Sequence, residues 1–183
     1  MTDQPITSLD VLDFWWQAGP EKWFAGGDAF DRSCREKFLP AIEDAFAGRL
    51  DPWMETADGA LALVLLLDQM PRNVFRGTAA AFKADPKALA VAEHALARGF
   101  DRAFPKAGRG FFYLPFEHSE EMAHQERSVD LFRGLGDKEL YYYALIHLDV
   151  IRRFGRFPHR NKALGRETTP QEQAYLADGG FSA

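Results

Sequence analysis

The stretch Ala60-Leu61-Ala62-Leu63-Val64-Leu65-Leu66-Leu67 decides the fold, and Asp68-Gln69-Met70-Pro71-Arg72-Asn73 follows it directly. A helix through the first stretch is apolar on every side, so it must lie at the centre of the molecule. A membrane span needs about 18 or more apolar residues in a row, and this run is too short. We therefore predict a buried central helix over about 56–69, ended by Pro71.

The sequence on both sides of this run is typical of helices. Strand-like alternation of β-branched residues is nearly absent, and residues that favour helices dominate. Capping signals mark helix starts at Thr7 and at Thr169, and Asp85 before Pro86 is the expected N-cap of another helix. Further helices are predicted at about 28–46, 85–99, 119–135 and 138–154, with Gly108–Pro115 as an aromatic connection. The predicted fold is all-α, with about seven helices.

Length and composition limit the classes to which the chain can belong. The 183 residues suit one domain, which we place at 1–183 with a core at about 9–176 and short flexible termini. With 46% hydrophobic residues the chain is not disordered, and with a single cysteine it is not a disulfide scaffold. The net charge of -5 argues against a nucleic-acid partner. The first residues have no cationic or apolar leader, so we expect a cytoplasmic protein that does not bind a membrane.

The segment 152–166 carries the strongest charge signal. It holds no acidic residue and six basic ones: Arg152, Arg153, Arg156, Arg160, Lys162 and Arg166. Arginine binds carboxylates and phosphates through two parallel hydrogen bonds. Two interpretations are open: the segment binds an external anion, or it pairs internally with groups such as Asp68, Glu117 or Asp149.

Three polar motifs, each at the end of an apolar helix, could carry acid–base chemistry. Asp68 follows the most apolar helix, where an unpaired carboxyl has a raised pKa, although a structural ion pair is an equally ordinary role. Glu117 and His118 could share a proton, or could support a helix end and bond to the backbone. His147 lies near an apolar stripe, so we expect it to point inward.

Signatures of metal and cofactor sites are missing. Glu121 and His124 have the spacing of carboxylate-bridged metal sites, but such sites need two such pairs and two further glutamates. The chain has no phosphate-binding glycine loop, no zinc-protease motif and no nucleophile elbow. We therefore predict no metal and no cofactor. Cys34 falls on an apolar helix face and is expected to be an inert core thiol.

Five motifs in order resemble one bacterial family, the domain of unknown function 924. They are Asp13-Phe14-Trp15, Lys22-Trp23-Phe24, Leu67–Asn73, Tyr113–Glu120 and Phe154–Asn161. The resemblance runs from about Leu9 to Tyr175. It implies stacked antiparallel helix pairs of the tetratricopeptide-like class, and it implies no particular activity.

Our leading functional expectation is a binding module. It would hold a small anionic ligand or an acidic peptide in a polar cleft formed by Asp68, Arg72, Asn73, Glu117, His118, His147, Arg156, His159, Arg160 and Asn161. The first alternative is a metal-independent enzyme in the same cleft. Its general base would be His118 or His147, oriented by Glu117 or Asp68, with the arginines stabilising negative charge.

The second alternative is a structural scaffold, in which these residues form an internal network and an outer helical face binds another protein. The sequence does not indicate an oligomeric state. All three expectations depend on whether the polar motifs meet in space.

Overall fold

A computed structural model describes residues 5–24 and 27–182, and within these ranges the protein is all-α, with no strand. The helices are α1 (Ser8–Ala18), α2 (Pro20–Trp23), α3 (Asp28–Phe46), α4 (Ala57–Val64), α5 (Met70–Val74), α6 (Asp85–Ala97), α7 (Lys106–Glu117), α8 (Met122–Leu135), α9 (Lys138–Phe154) and α10 (Pro170–Ala177). Short 3-10 turns lie at Asp51–Glu55, Ala79–Ala81, Phe100–Ala103 and Pro158–Arg160. No helix in the described part is both long and apolar enough to cross a membrane.

The central helix is buried as predicted, but its predicted end is wrong. Every residue from 59 to 71 is buried, and α4 continues through a π turn (Leu65–Gln69) into α5. In this turn the Met70 N–H bonds to the Leu65 carbonyl, five residues back. The wider turn makes room for Pro71, which has no N–H to donate. It also shifts the helical phase, and Asp68 is fully buried.

The predicted aromatic connection at Gly108–Pro115 is also wrong, because this segment forms most of α7. Its glycines serve close packing rather than a turn. A Cβ at Gly110 would lie 3.2 Å from Leu140 Cδ1, and one at Gly108 would lie 2.9 Å from the Phe104 Cβ. The aromatic side chains between them enter the core, and this additional helix is one reason why the expected number of about seven helices is too low.

Several local signals are confirmed. Thr7 and Thr169 each cap a helix through a complete capping box. The predicted bounds of α3 and α9 agree with the structure. Cys34 is buried on α3, and burial raises the pKa of its thiol to about 12, as expected for an inert core cysteine. The predicted flexible termini include residues 1–4 and 183, which lie outside the described residues.

The packing brings the end of α7 between the central helix and α9. The π turn contacts α3, α6 and α7, while α7 also contacts α8 and α9. A second, smaller apolar cluster forms around Val150, Ile151 and Phe157, where the chain leaves α9. Polar residues at the ends of these elements therefore lie near one another. The tetratricopeptide-like arrangement stays a prediction.

Candidate functional site

The three polar motifs meet at the end of α7. His118 Nδ1 lies 2.7 Å from Asp68 Oδ1, and His147 Nδ1 lies 3.4 Å from Glu117 Oε1. The rings of His118 and His147 are 6.2 Å apart, centroid to centroid. We call these four residues, Asp68, Glu117, His118 and His147, the His–carboxylate cluster.

Asp68 is a fully satisfied carboxylate. Burial acts to raise its pKa, but the charges of Arg72 and His118 and the bonds from His118 and Gln69 outweigh that effect and hold the pKa well below its usual value. Gln69 Nε2 donates to Asp68 Oδ2 at 2.5 Å, and Arg72 Nη1 lies 3.3 Å from Oδ1. The π turn that buries Asp68 thus places an ionised carboxylate beside the core.

His118 is held as one neutral tautomer. Burial lowers the pKa of its imidazole, and the Arg72 charge lowers it further. Since Asp68 is ionised and can only accept, the proton of His118 lies on Nδ1 and points at Asp68. The lone pair of Nε2 is therefore directed away from Asp68 and available to a ligand.

Glu117 and His147 are two buried groups that face each other without forming an ion pair. Burial, aided by the Asp68 charge, raises the pKa of Glu117 to about 8. Burial lowers the pKa of His147 to about 3. The Nδ1–H of His147 donates to the Tyr143 carbonyl at 2.8 Å, so its 3.4 Å contact with Glu117 is secondary. Glu117 Oε2 is buried and has no hydrogen-bond partner among the described residues.

Arg160 is a buried cation with incomplete pairing. Its guanidinium lies between the rings of Phe82 and Phe157, at 4.7 and 4.4 Å from their centroids. Nη1 reaches Asp85 Oδ2 at 3.3 Å, and Nε finds no acceptor in the part of the chain that the structure describes. Burial and the neighbouring Arg72 lower the pKa of Arg160 to about 10.

Asp85 is a site residue whose sequence context predicts a different role. The predicted N-cap role is wrong, because Ala84 occupies that position and Asp85 makes no capping bond. Its carboxylate instead accepts two bonds from Arg72, both at 3.0 Å, and the weaker one from Arg160. An acidic residue before a proline ordinarily indicates a helix start. No local signal in the sequence therefore distinguishes an N-cap aspartate from one that pairs with distant arginines.

The other predicted arginine of the site, Arg156, is paired internally. It donates to both carboxylate oxygens of Glu172, at 2.6 and 2.8 Å, and to the Glu167 carbonyl. Asn161 also bonds to Glu172, at 3.3 Å. In addition, Arg166 holds Glu120 through two bonds, at 2.7 and 3.0 Å. These residues attach the loop after α9 to its neighbours by internal pairs. Their partners differ from the expected Asp68 and Glu117, and among the expected acids Asp149 pairs with Arg153, at 3.7 Å.

Two further predicted residues have different surroundings. Asn73 bonds to Asp31 at 2.8 Å and lines a surface cavity with Arg32 and Arg35, away from the His–carboxylate cluster. His159 lies beside Arg160, and burial lowers the pKa of its imidazole to about 4. The Nδ1 of His159 is buried and unpaired within residues 5–24 and 27–182.

The cluster also contains a group that could hold a metal ion. Glu117, His118 and His147 each offer one donor atom, and these atoms all lie within 4.8 Å of one another. The sequence spacing points to His124 instead, whose Nδ1 lies 2.8 Å from Ser119 Oγ. The three donors come from the end of α7 and the middle of α9, so sequence spacing alone could not reveal them.

Comparisons with known proteins place this fold in a family. A solved structure from Agrobacterium tumefaciens, "Structure of Protein of Unknown Function ATU0120", has 48% sequence identity and a TM-score of 0.91. The match covers 94% of this chain and 97% of that one. No curated protein matches the chain. The model of a bacterial family of proteins of unknown function, DUF924, matches residues 11–180, and the chain belongs to this family.

Proposed function

We propose that the protein binds a small anionic molecule, a carboxylate or a phosphate, at Arg160. The observation that carries this proposal is the buried Nε–H of Arg160, which has no acceptor within the described residues. Buried polar groups are almost always hydrogen-bonded, so an unpaired donor on a charged group needs an explanation. A bound anion would supply the missing acceptor.

The charge around Arg160 supports the same conclusion. Asp85 is its nearest carboxylate, but Arg72 already takes both oxygens of that group at 3.0 Å. A buried cation is costly unless it is paired and hydrogen-bonded. One further negative charge beside Arg160 would therefore be stabilising, and the two flanking rings keep the guanidinium plane oriented for it.

His159, the residue before Arg160, has a second buried and unpaired nitrogen within the described residues. His159 and Arg160 both lie against the ring of Phe157, at 5.7 and 4.4 Å. With its proton on Nδ1, His159 would offer a neutral hydrogen bond beside the charged one. Because Arg160 is only 6% exposed, this site suits a small molecule rather than an acidic peptide.

Isothermal titration calorimetry with phosphate, citrate and a panel of phosphorylated and carboxylate metabolites would test the proposal. We expect at least one anion to bind, Arg160→Gln to abolish that binding and His159→Gln to weaken it. The matched control is Arg156→Gln, which removes an arginine already paired with Glu172 and should leave the affinity unchanged. At 100 times its dissociation constant, the ligand should stabilise the fold by about 2.7 kcal/mol.

Equal binding by the wild type and by a folded Arg160→Gln variant would overturn the proposal. So would the failure of every anion to bind the wild type. The His159→Gln variant keeps the test informative if Arg160→Gln does not fold, because loss of affinity there is still expected only for a ligand at this site.

The contact between Asp68 and His118 favours acid–base catalysis as a second candidate function. A carboxylate that fixes the imidazole tautomer and leaves Nε2 free is the arrangement of a general base. We expect hydrolysis of a chromogenic ester or phosphoester that is lost in His118→Gln. The control His94→Gln alters a histidine whose Nε2 lies 4.0 Å from Glu55 in another part of the chain. Activity that survives in His118→Gln would contradict this role.

We infer that α6 to α9 stack as antiparallel pairs of the tetratricopeptide-like class, because each of these helices contacts the next. The crossing angles in an experimental structure would test this arrangement.

The expectation of an outer protein-binding face stays a prediction, supported only by the exposed Tyr142, Tyr143 and Leu145 on α9.

A further inference from the structure

We infer that Glu117, His118 and His147 form a binding site for one divalent transition-metal ion. Zinc is the ion used below for the expected bond lengths and for the test. The donor atoms of this site do not include Arg160, so the inference is independent of the proposed anion binding.

The donor set suits such an ion. One carboxylate and two imidazoles are ligands that zinc and its neighbours prefer, and sites with three protein ligands leave a fourth position for water or another ligand. The three donor atoms already lie within 4.8 Å of one another. Around a tetrahedral zinc ion with bonds of about 2.1 Å, they would be about 3.4 Å apart. The side chains must therefore close inward when the ion binds.

Both histidines already have the outer partners of metal ligands. A ligating histidine generally donates its other ring N–H to a carboxylate or a backbone carbonyl, which fixes the tautomer and the ring. Here His118 donates to Asp68 at 2.7 Å, and His147 donates to the Tyr143 carbonyl at 2.8 Å. Each imidazole thus keeps the lone pair of Nε2 for a ligand. On His147 the nitrogen that lies 3.4 Å from Glu117 Oε1 is Nδ1, so the inward closing must bring Nε2 of this ring toward the carboxylate.

The buried, unpaired oxygen of Glu117 is an independent observation that points to a ligand. Glu117 is 3% exposed, and its Oε2 has no partner within the described ranges. The arginines nearby pair with Asp68 and Asp85, and no arginine of the described ranges pairs with Glu117. A carboxyl group in this position needs either a proton or a cation, and a metal ion would replace the proton.

The surrounding charges favour a cation once Glu117 is ionised. Three buried or half-buried carboxylates, Asp68, Asp85 and Glu117, then face two guanidiniums, Arg72 and Arg160. The histidines add no charge in their neutral forms. The three carboxylates and two guanidiniums therefore have a net charge of −1, which partly neutralises the charge of a divalent ion.

Metal binding and general-base catalysis by His118 exclude each other. An ion on Nε2 would occupy the lone pair that a base needs, since Nδ1 already holds the proton donated to Asp68. If the second candidate activity is found, added zinc should inhibit it. Binding without any activity would leave the metal site supported and that candidate rejected.

The test is metal uptake by the full-length protein after chelator treatment and dialysis. We expect one equivalent of Zn²⁺ by titration and elemental analysis, and Co²⁺ absorption bands that report low-symmetry coordination. His147→Gln and the nearly isosteric Glu117→Gln should abolish stoichiometric uptake. Asp68→Asn, which alters an outer partner, should lower the affinity by about 10–100-fold. The control variants His94→Gln and His124→Gln should bind as the wild type does.

Absence of stoichiometric Zn²⁺ and Co²⁺ uptake by the wild type would overturn the inference. Unchanged uptake in both folded ligand variants would also overturn it. Should these variants not fold, nuclear magnetic resonance of the wild type keeps the test decisive. Zinc should then shift the ring signals of His118 and His147 but not those of His94, and the reverse pattern would contradict the site.

Discussion

The Nδ1 of His118 lies 2.7 Å from the Oδ1 of Asp68, a contact between residues 50 positions apart in the chain. Asp68 is fully buried and also accepts a bond from Gln69 and pairs with Arg72. The contact joins the central helix to the end of α7, so it orients an imidazole and connects two elements of the core.

Because Asp68 is fully buried and holds several polar partners, its replacement should strongly destabilise the fold. Asp68→Asn leaves His118 without its ionised acceptor and leaves Arg72 with Asp85 as its one carboxylate partner among the described residues. Breaking a buried ion pair costs about 3–5 kcal/mol. Urea unfolding followed by circular dichroism measures this change. The control Asp44→Asn removes a pair between two exposed side chains, Asp44 and Arg49, for which about 0–1 kcal/mol is expected. Equal losses in both variants would contradict the assigned role of Asp68.

A second prediction concerns acid stability and the pair between Glu172 and Arg156. The bonds from Arg156, with those at Thr169, lower the pKa of Glu172 from 4.5 to about 2. A carboxyl group with a lower pKa in the folded state stabilises the protein above its unfolded pKa, and this contribution is lost as the pH falls toward the folded pKa. The free energy of unfolding should therefore fall from about pH 4.5 toward pH 2. Arg156→Gln should make that fall shallower, and an unchanged slope would argue against the pair.

How far the sequence predicts this fold depends on whether a signal is local. Thr7 and Thr169 were recognisable because a capping box lies within four residues. The sequence does not reveal the roles of Pro71 and of the glycines of α7, because the same residue types serve turns, π turns and close packing. The choice among these roles depends on neighbours far away in sequence.

The candidate site shows the same limit. The sequence identifies four candidate site residues by their types and by their places at helix ends: Asp68, Glu117, His118 and His147. The distances that unite them follow from the π turn and from the packing of α7 against α9. Asp85 was assigned a local role because its partner Arg72 lies 13 residues earlier and Arg160 lies 75 residues later. Periodicity carries no information on such pairings.

A third prediction concerns Phe181, which covers part of the candidate anion site. Its ring lies 4.2 Å from the ring of His147 and 5.4 Å from that of His159, centroid to centroid. Phe181→Ala should expose both imidazoles and so accelerate their modification by diethyl pyrocarbonate, measured residue by residue by mass spectrometry. His94, outside this region, is the internal reference and should react at the same rate in both proteins. Equal rates at His147 and His159 in the two proteins would show that Phe181 does not cover them.

A fourth prediction uses two glycines with opposite surroundings. A Cβ at Gly59, near the start of α4, would lie 2.1 Å from the Trp53 carbonyl oxygen and 2.8 Å from the capping Thr56 Oγ1. Gly59→Ala should therefore displace backbone and cap together and cost about 1–3 kcal/mol or more. A Cβ at Gly134, inside α8, would meet no described atom within 4 Å, so Gly134→Ala should stabilise the protein by up to about 1 kcal/mol through helix propensity. Thermal and urea unfolding of both variants should give shifts of opposite sign. Stabilisation by Gly59→Ala would contradict the close packing of the Trp53 carbonyl and the Thr56 side chain against the start of α4.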